Sequence, residues 1–294
     1  MSTETTDPRF LHVATWPTAT AVEAMLEGQL SAIAALHSQV AAIAAASDAA
    51  AARLKAGGRL CYAGAGTSGR IAVQDGVELR PTFDWPKDRL VFLLAGGTGA
   101  LTESAEGAED DGDAARAGVA TEAIGANDVL IGVAASGTTP FTLAAIEAAR
   151  AAGALTIAVA NNSAAPLLAA AEHAILAETG SEIVAGSTRM KAGTAQKAAL
   201  NMISTAIMLR LGFVHRGLMV NMRMSNTKLR RRGAAIVAEI AGVSIAEADG
   251  AIEAAGRHIP RAVLIALGET PDRARHLLDQ SGGSLSQALA TRQG

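Results

Sequence analysis

The sequence contains few aromatic residues and a single cysteine. Only 3% of its 294 residues are Phe, Trp or Tyr, so it offers few of the ring surfaces on which single-stranded nucleic acids stack. The one thiol, Cys61, cannot form an internal disulfide and cannot by itself hold zinc or an iron–sulfur cluster. We therefore predict no nucleic-acid partner, no metal and a reducing, cytoplasmic location.

Two uncharged stretches have to be compared with the length of a membrane-spanning helix. The uncharged stretches 129–146 and 151–171 approach that length, but SGTTP (136–140) and NNSAAP (161–166) break each of them into a strand, a loop and a helix. The first ten residues have mixed charges and a proline, unlike a signal peptide. A net charge of -3 gives no general attraction to anionic lipid. We predict no membrane partner.

Small and aliphatic side chains supply the hydrophobicity, and they follow two alternating patterns. Half of the residues are hydrophobic, which is enough for a substantial core. Five short apolar runs are typical of buried strands, and helical patterns separate them. We predict an α/β fold in which a doubly wound, parallel, five-stranded sheet has helices on both faces. The predicted strands are 59–65, 89–97, 128–136, 154–162 and 173–178, and the predicted helices between them are 68–77, 101–118, 139–152 and 164–171.

Helical patterns also flank the predicted sheet. Residues 20–56 predict one or two long helices that end at Gly57 and Gly58, and 187–211 predicts another long helix. Short helical patterns fill the rest of the chain. We therefore predict an N-terminal helical segment (1–56), a central α/β domain (57–225) and a small helical C-terminal subdomain (226–294).

The segment GAGTSGR (64–70) follows the first predicted strand and opens a helix, where unpaired backbone N–H groups favour an anion. It matches the GxGxxG fingerprint of dinucleotide-binding proteins. The second predicted strand, however, ends in Ala-Gly-Gly (95–97), without the acidic residue that holds a ribose. Thr67 and Ser68 instead fit a monophosphate.

Two further turns have the same chemistry. SGTT (136–139) ends the third predicted strand, and GSTRMKAGTAQK (186–197) opens a long helix. Because ligands of open α/β sheets bind at the carboxyl ends of the strands, three such turns predict one phosphate pocket. A single turn could equally be a glycine-rich connection without a ligand. Likewise, Arg189 and Lys191 could simply be solvated residues at the start of a helix. The candidate binding residues are Gly66, Thr67, Ser68, Ser136, Gly137, Thr138, Thr139, Ser187, Thr188, Arg189 and Lys191.

Carboxylates are the candidate acids and bases, because the six histidines are scattered and none pairs at metal-ligand spacing. Glu78 lies just past the helix that opens at Ser68, and an acidic run follows the second predicted strand. A solvated helix face is the simpler interpretation of such a run, and its spacing does not show whether it approaches Glu78. The run contains Glu106, Glu109, Asp110 and Asp111.

Together, several segments resemble the N-acetylmuramic acid 6-phosphate etherases, a family with the sugar isomerase (SIS) fold. The resemblance covers about residues 57–290 in order. Two features differ from the usual family pattern: the N-terminal part 8–36, and Thr138, where arginine is more frequent. The matching segments are AGAGTSGR (63–70), DGVELRPT (75–82), AEGAEDD (105–111), SGTTPF (136–141), GSTRMKAGTAQK (186–197) and LNMIST (200–205).

The resemblance implies a cytoplasmic, homodimeric carbon–oxygen lyase of cell-wall recycling that needs no metal or organic cofactor. Its substrate would be a small sugar phosphate, N-acetylmuramic acid 6-phosphate, from which D-lactate leaves to give N-acetylglucosamine 6-phosphate. By match to the family's motifs, Glu78 would protonate the departing ether oxygen and Glu109 would be the second catalytic carboxylate. The group that takes the C2 proton stays open. The resemblance also implies that Glu182 lies near the phosphate, as Ser187 does.

Two other functions fit the same fold. A sugar-phosphate sensor similar to glucokinase regulatory protein would bind its ligand unchanged, although that protein has two SIS domains and this chain has room for one. A sugar-phosphate isomerase would instead produce a ketose phosphate. Release of lactate distinguishes an etherase from both.

Overall fold

The computed structural model, which describes residues 2–103 and 105–293, contains one sheet with the strands β1 (Leu60–Gly64), β2 (Leu90–Leu94), β3 (Val129–Ala134), β4 (Leu155–Ala160) and β5 (His173–Leu176). The strand order is β2-β1-β3-β4-β5, and every neighbouring pair is parallel. The predicted α/β fold with five parallel strands is confirmed, and each strand lies within its predicted run.

Seven helices accompany the sheet in the described part of the chain. They are α1 (Thr18–Ala34), α2 (Val40–Lys55), α3 (Gly66–Phe83), α4 (Gly112–Thr121), α5 (Pro140–Ala151), α6 (Pro166–Ala170) and α7 (Lys191–Arg210). The predicted end of the helical segment at Gly57 is confirmed, because this glycine follows α2 with a φ of +93°.

Helices cover both faces of the sheet because side chains of successive strand residues point to opposite sides. Cys61 of β1 packs in a buried cluster with residues of α4, α5 and α6. Tyr62 points to the other face, where its hydroxyl donates to Asp75 of α3 at 2.8 Å. Asp75 also accepts hydrogen bonds from Asn201 and Ser204 of α7, at 2.7 and 3.1 Å. Burial raises the pKa of Asp75, and this network attaches α3 and α7 to one another beside β1.

The predicted helix 101–118 is wrong in its first half. Residues Thr98–Leu101 and Ala108–Asp110 form short 3-10 turns, and α4 begins only at Gly112. Gly107 has a φ of +72°, which interrupts a right-handed helix, and the Asp111 side chain caps α4 by accepting from the Ala114 N–H at 2.8 Å. The acidic run therefore precedes the helix. Ser104, inside the predicted helix, lies outside the described residues.

One stretch, Thr18–Lys55, is long and apolar enough to cross a membrane by length and composition. A 3-10 segment, Ala35–Gln39, separates its two helices. The second of them, α2, packs against β3, β4 and β5 and is a core helix. The stretches 129–146 and 151–171 each divide into a strand and a helix, as predicted.

Contacts divide the chain into two compact units. The first comprises Met1–Gly76 with Asp88–Ala206, and the second comprises Val77–Lys87 with Ile207–Gly294. The helices α1 and α2 thus share a unit with the sheet, and α3 and α7 each pass from one unit into the other. This division by compactness differs from the segments 1–56, 57–225 and 226–294, which stay predictions.

The second unit contains a series of short helices, as the sequence predicts. The helices are α8 (Thr227–Ala241), α9 (Ile245–Ala254), α10 (Ile259–Ala266), α11 (Pro271–Gln280) and α12 (Leu285–Gln293). Their starts have capping side chains, among them Ser244 and Glu247, which form a reciprocal capping box at α9. Val237, Leu264 and Leu277 belong to the buried cluster that joins these helices.

Stability of the second unit is expected to fall as the pH decreases from about 6.5 to 4. Burial, together with the charge of Arg261, lowers the pKa of His258 to about 4, and the neutral ring accepts the Arg261 N–H at 3.3 Å as the cap of α10. The pKa of an unfolded histidine is near 6.5. The contribution of His258 to the free energy of unfolding is therefore complete above pH 6.5, and it is lost as the pH falls because protonation favours the unfolded chain.

The measurement is the melting temperature of wild type and His258→Asn at pH 7.5 and 5. Asparagine retains a capping acceptor but does not titrate, so this variant should lose less stability on acidification. The control is His276→Asn, at an exposed position of α11. An equal loss in wild type and His258→Asn would contradict the prediction.

Candidate functional site

A cleft of about 440 Å³ lies at the carboxyl ends of β1 and β3, within the first unit. It is lined by the turns after both strands, by the 3-10 turn that precedes α4 and by Glu4 near the N-terminus. The lining residues are Glu4, Ala65, Gly66, Thr67, Ser68, Glu109, Asp110, Ala134, Ala135, Ser136, Thr138, Thr139, Pro140 and Thr188.

The glycines of the turn after β1 have two different roles. Gly66 begins α3 with a φ of +52°, and a Cβ there would have no heavy atom within 4 Å. Gly64 and Gly69 instead allow close packing of α3 on the strand, because a Cβ on Gly69 would lie 2.8 Å from the Gly64 carbonyl oxygen. The first turn of α3, with Thr67 and the buried Ser68, therefore faces the cleft, where backbone N–H groups favour an anion.

The turn after β3 is organised by its own hydroxyl groups. Ser136 Oγ accepts the Thr138 N–H at 3.2 Å and the Thr138 hydroxyl at 3.1 Å. Gly137 has a φ of +68°, and a Cβ there would lie 2.3 Å from Cβ of Ala165, so its role is conformational. Thr139 precedes α5 and makes no capping hydrogen bond with its side chain. A second helix N-terminus thus faces the cleft beside three hydroxyl groups.

The N-terminus of α7 is already occupied by a carboxylate. Glu182 is buried, and its two oxygens accept the N–H groups of Lys191 and Ala192 at 3.0 and 2.9 Å. The Lys191 ammonium donates to the Ser181 carbonyl at 2.8 Å and lines a separate cavity of about 220 Å³. In the GSTRMK segment it is Thr188 that lines the main cleft.

The structure brings only part of the predicted site together. Of the predicted residues, Gly66, Thr67, Ser68, Ser136, Thr138, Thr139, Thr188 and Glu109 line the cleft, whereas Gly137, Glu182, Ser187, Arg189 and Lys191 do not. Glu78 is an exposed residue of α3 and belongs to the second unit. Glu4 could not be predicted from the sequence, because only short 3-10 turns surround it and no periodic pattern marks them.

Hydroxyl and backbone N–H groups are the hydrogen-bond donors of the cleft, and carboxylates supply its charge. Among the described residues that line it there is no lysine or arginine, and three carboxylates, of Glu4, Glu109 and Asp110, are present. In the described part of the chain no group of three His, Cys, Asp or Glu residues could hold a metal ion. The arrangement can hold a phosphate at the two helix N-termini and place carboxylates against another part of the same ligand.

The chain is similar to known proteins and to two family models. Residues 42–150 match the model of the glucokinase regulatory protein N-terminal SIS domain, and residues 111–206 match the SIS domain. An N-acetylmuramic acid 6-phosphate etherase of Deinococcus radiodurans is 45% identical over 288 residues, which cover 98% of this chain and 94% of the relative. The chain belongs to the N-acetylmuramic acid 6-phosphate etherase family.

Other relatives agree with this assignment. The etherase of Streptomyces coelicolor is 44% identical over 292 residues, 99% of this chain and 94% of its own length. Coverage of this extent includes the part 8–36, which we expected to differ from the etherase pattern. In structure, the chain is similar to a solved protein of E. coli CFT073, with a TM-score of 0.50 and 16% identity over 68% of this chain and 94% of that one. The predicted SIS-type fold of this etherase-family chain is confirmed.

Proposed function

We propose that this chain cleaves the D-lactyl ether of N-acetylmuramic acid 6-phosphate, giving N-acetylglucosamine 6-phosphate and D-lactate in peptidoglycan recycling. The observation that supports this most strongly is 45% identity to an etherase over 98% of the chain. The enzyme would be a cytoplasmic carbon–oxygen lyase that uses amino-acid side chains alone.

The reaction requires a proton acceptor and a proton donor. In the open-chain sugar the C1 aldehyde acidifies the C2 proton, so a base can remove it. The electron pair then forms a C2–C3 double bond while the C3–O bond to lactate breaks and its oxygen takes a proton. Water adds back across the double bond, its oxygen to C3 and a proton to C2. Positioned carboxyl groups suit these steps.

Two glutamates are proposed for these steps. Glu109 lies in the cleft, in the 3-10 turn before α4, which supports its role as the second catalytic carboxylate. The role of Glu78 as the acid for the ether oxygen rests on the family motif, since this residue belongs to the second unit.

The phosphate is proposed to bind where α3 and α5 begin. Thr67, Ser68, Ser136 and Thr139 offer hydroxyl groups there, and both helix dipoles favour a negative charge. Because Glu182 itself caps α7, it would act by holding the turn that contains Thr188 in place, rather than by touching the phosphate.

We also propose a homodimer in which the exposed apolar face of α1 is covered by a second copy. Val22, Leu26, Leu30 and Ile33 recur at helical spacing and are each between 46% and 64% exposed. Such a face in water is typical of an interaction surface. The acidic side chains of Glu23 and Glu27 on the same helix make burial in a bilayer unfavourable.

In a mass measurement, wild type is expected at twice the 29.7 kDa chain mass, and Leu26→Asp combined with Leu30→Asp at the mass of one chain. The control is Glu23→Lys, a charge change at an exposed neighbouring position of α1. A wild-type monomer that sediments with lipid vesicles would contradict the dimer and indicate a membrane surface instead.

The proposed function is tested by following N-acetylmuramic acid 6-phosphate by NMR with the purified protein. Appearance of D-lactate and N-acetylglucosamine 6-phosphate is the expected result. A ketose phosphate would indicate an isomerase. Recovery of the unchanged ligand bound to the protein would favour a regulator. This is the function in the name of the family model that matches residues 42–150.

A further inference from the structure

Near the N-terminus, the chain places one carboxylate, that of Glu4, in the lining of the cleft. Thr3 is completely buried, its hydroxyl accepts a hydrogen bond from Asn162 Nδ2 at 3.2 Å, and its carbonyl accepts the Gly186 N–H at 3.0 Å. A few residues later, Asp7 accepts a hydrogen bond from Ser181 Oγ at 3.2 Å. Residues 3–7, here called the N-terminal segment, are thus attached at both ends to the loops that follow β4 and β5.

Glu4 is held between these two attachments and lines the cleft. Its Oε2 lies 3.0 Å from the position that a Cβ on Gly186 would occupy. Gly186 has a φ of +76°, so this position of the GSTRMK segment is suited to a residue without a side chain. The absence of a side chain there leaves room for the carboxylate of Glu4 beside Thr188.

The strand order places Glu4 and Glu109 on different sides of the phosphate turns. Those turns follow β1 and β3, which are neighbours in the middle of the sheet. Glu109 follows β2, beyond β1, whereas Glu4 is attached to the loops after β4 and β5, beyond β3. A ligand bound through its phosphate in the middle would therefore have a carboxylate on either side.

The charge of Glu4 decides what it can contact. A carboxylate beside a phosphate is repelled, whereas it accepts strong hydrogen bonds from hydroxyl and amide N–H groups. An N-acetylated sugar phosphate has both kinds of donor on its carbon skeleton and has its negative charge at the other end. Glu4 therefore suits the sugar and not the phosphate.

We propose that Glu4 is a further substrate-binding residue, whose carboxylate accepts hydrogen bonds from the hydroxyl or acetamido N–H groups of the sugar. This inference rests on the proposed etherase function, which supplies the N-acetylated sugar phosphate as the ligand. The N-terminal segment is then part of the binding site, and Thr3 is the positioning residue that holds Glu4 in the cleft.

The test compares two probes, N-acetylglucosamine 6-phosphate and inorganic phosphate, by isothermal titration of the full-length protein. For Glu4→Ala we expect binding of the sugar phosphate to weaken about tenfold or more, because a charged acceptor is lost. Binding of inorganic phosphate should stay unchanged or tighten, because a negative charge is removed. Thr3→Ala should show the same selectivity to a smaller degree, and Glu23→Ala, at an exposed site on α1, should change neither.

Steady-state kinetics with N-acetylmuramic acid 6-phosphate provide the second readout. For Glu4→Ala we expect KM to rise and kcat to stay within about threefold of wild type. Equal weakening of both probes by Glu4→Ala would overturn the proposal in favour of a structural role, and an unchanged affinity for the sugar phosphate would overturn it outright. If wild type releases no D-lactate, the proposed function itself fails. If wild type releases D-lactate but Glu4→Ala binds the sugar phosphate as tightly as wild type, only the proposed role of Glu4 is refuted.

Discussion

Replacing Glu78 by glutamine is expected to lower kcat for D-lactate release by about 10²- to 10⁴-fold, the usual contribution of general acid catalysis. Glutamine has nearly the same size as glutamate but cannot transfer a proton to the departing ether oxygen. Glu78 is exposed on α3, so the substitution should leave the fold intact. The measurement is lactate release under saturating substrate, with the melting temperature as the check on folding.

Exchange of the C2 proton in D₂O separates the roles of the two glutamates. If Glu78 acts only on the ether oxygen, Glu78→Gln should still exchange the C2 proton while releasing little lactate. Glu109→Gln, which changes the carboxylate in the cleft, is expected to lower lactate release by a similar factor. Loss of exchange in Glu109→Gln would identify Glu109 as the base. Full lactate release by Glu78→Gln would contradict the assignment of Glu78.

Replacing Glu182 by alanine is expected to lower the free energy of unfolding by about 3 kcal/mol, because two hydrogen bonds to a charged acceptor are lost. The residue is 1% exposed, and its carboxylate accepts the first two N–H groups of α7 at 3.0 and 2.9 Å. Without it, the buried Ala192 N–H and the half-buried Lys191 N–H lose their partner, and the positive end of the helix dipole is left without a counter-charge. Thermal unfolding followed by circular dichroism measures the effect.

The control for Glu182 is Glu178→Ala, an exposed glutamate between β5 and α7, which should change stability by less than about 0.5 kcal/mol. The free energy of unfolding of Glu182→Gln should lie between those of wild type and Glu182→Ala, because one oxygen acceptor remains. A variant Glu182→Ala that retains full stability but no longer binds sugar phosphate would contradict the capping role, and would instead place Glu182 at the phosphate.

The strands and the hydroxyl-rich turns that follow them could be predicted because their signals are local. A buried parallel strand must be apolar on both faces, so the five runs stand out, and the structure places every strand within them. The residues at Thr67, Ser68 and Ser136 follow strands directly, so the carboxyl-end rule alone brings them to one edge of the sheet.

Predictions were less successful where the outcome depends on the conformation of a turn. The acidic run was predicted as helical, but Gly107 is left-handed and Asp111 caps α4, so the residues between them form a 3-10 turn that precedes the helix. Glu182 was placed near the phosphate from the family motif, yet its oxygens bind backbone N–H groups that lie nine and ten residues further along the chain. Neither the acidic run nor the family motif indicates which backbone N–H groups at the start of a helix need a side-chain acceptor.

The sequence alone determined the fold class, the positions of the hydroxyl-rich turns and, through its motifs, the etherase family. These depend on residue type, spacing and the order of segments along the chain, all of which can be read directly. Only the tertiary structure decided that Glu4 lines the cleft with Glu109, that Lys191 faces a different cavity and that Glu182 caps a helix. The physical reason is that these contacts form between loops and turns that only folding brings together, so their geometry is set by packing around the sheet rather than by any local preference.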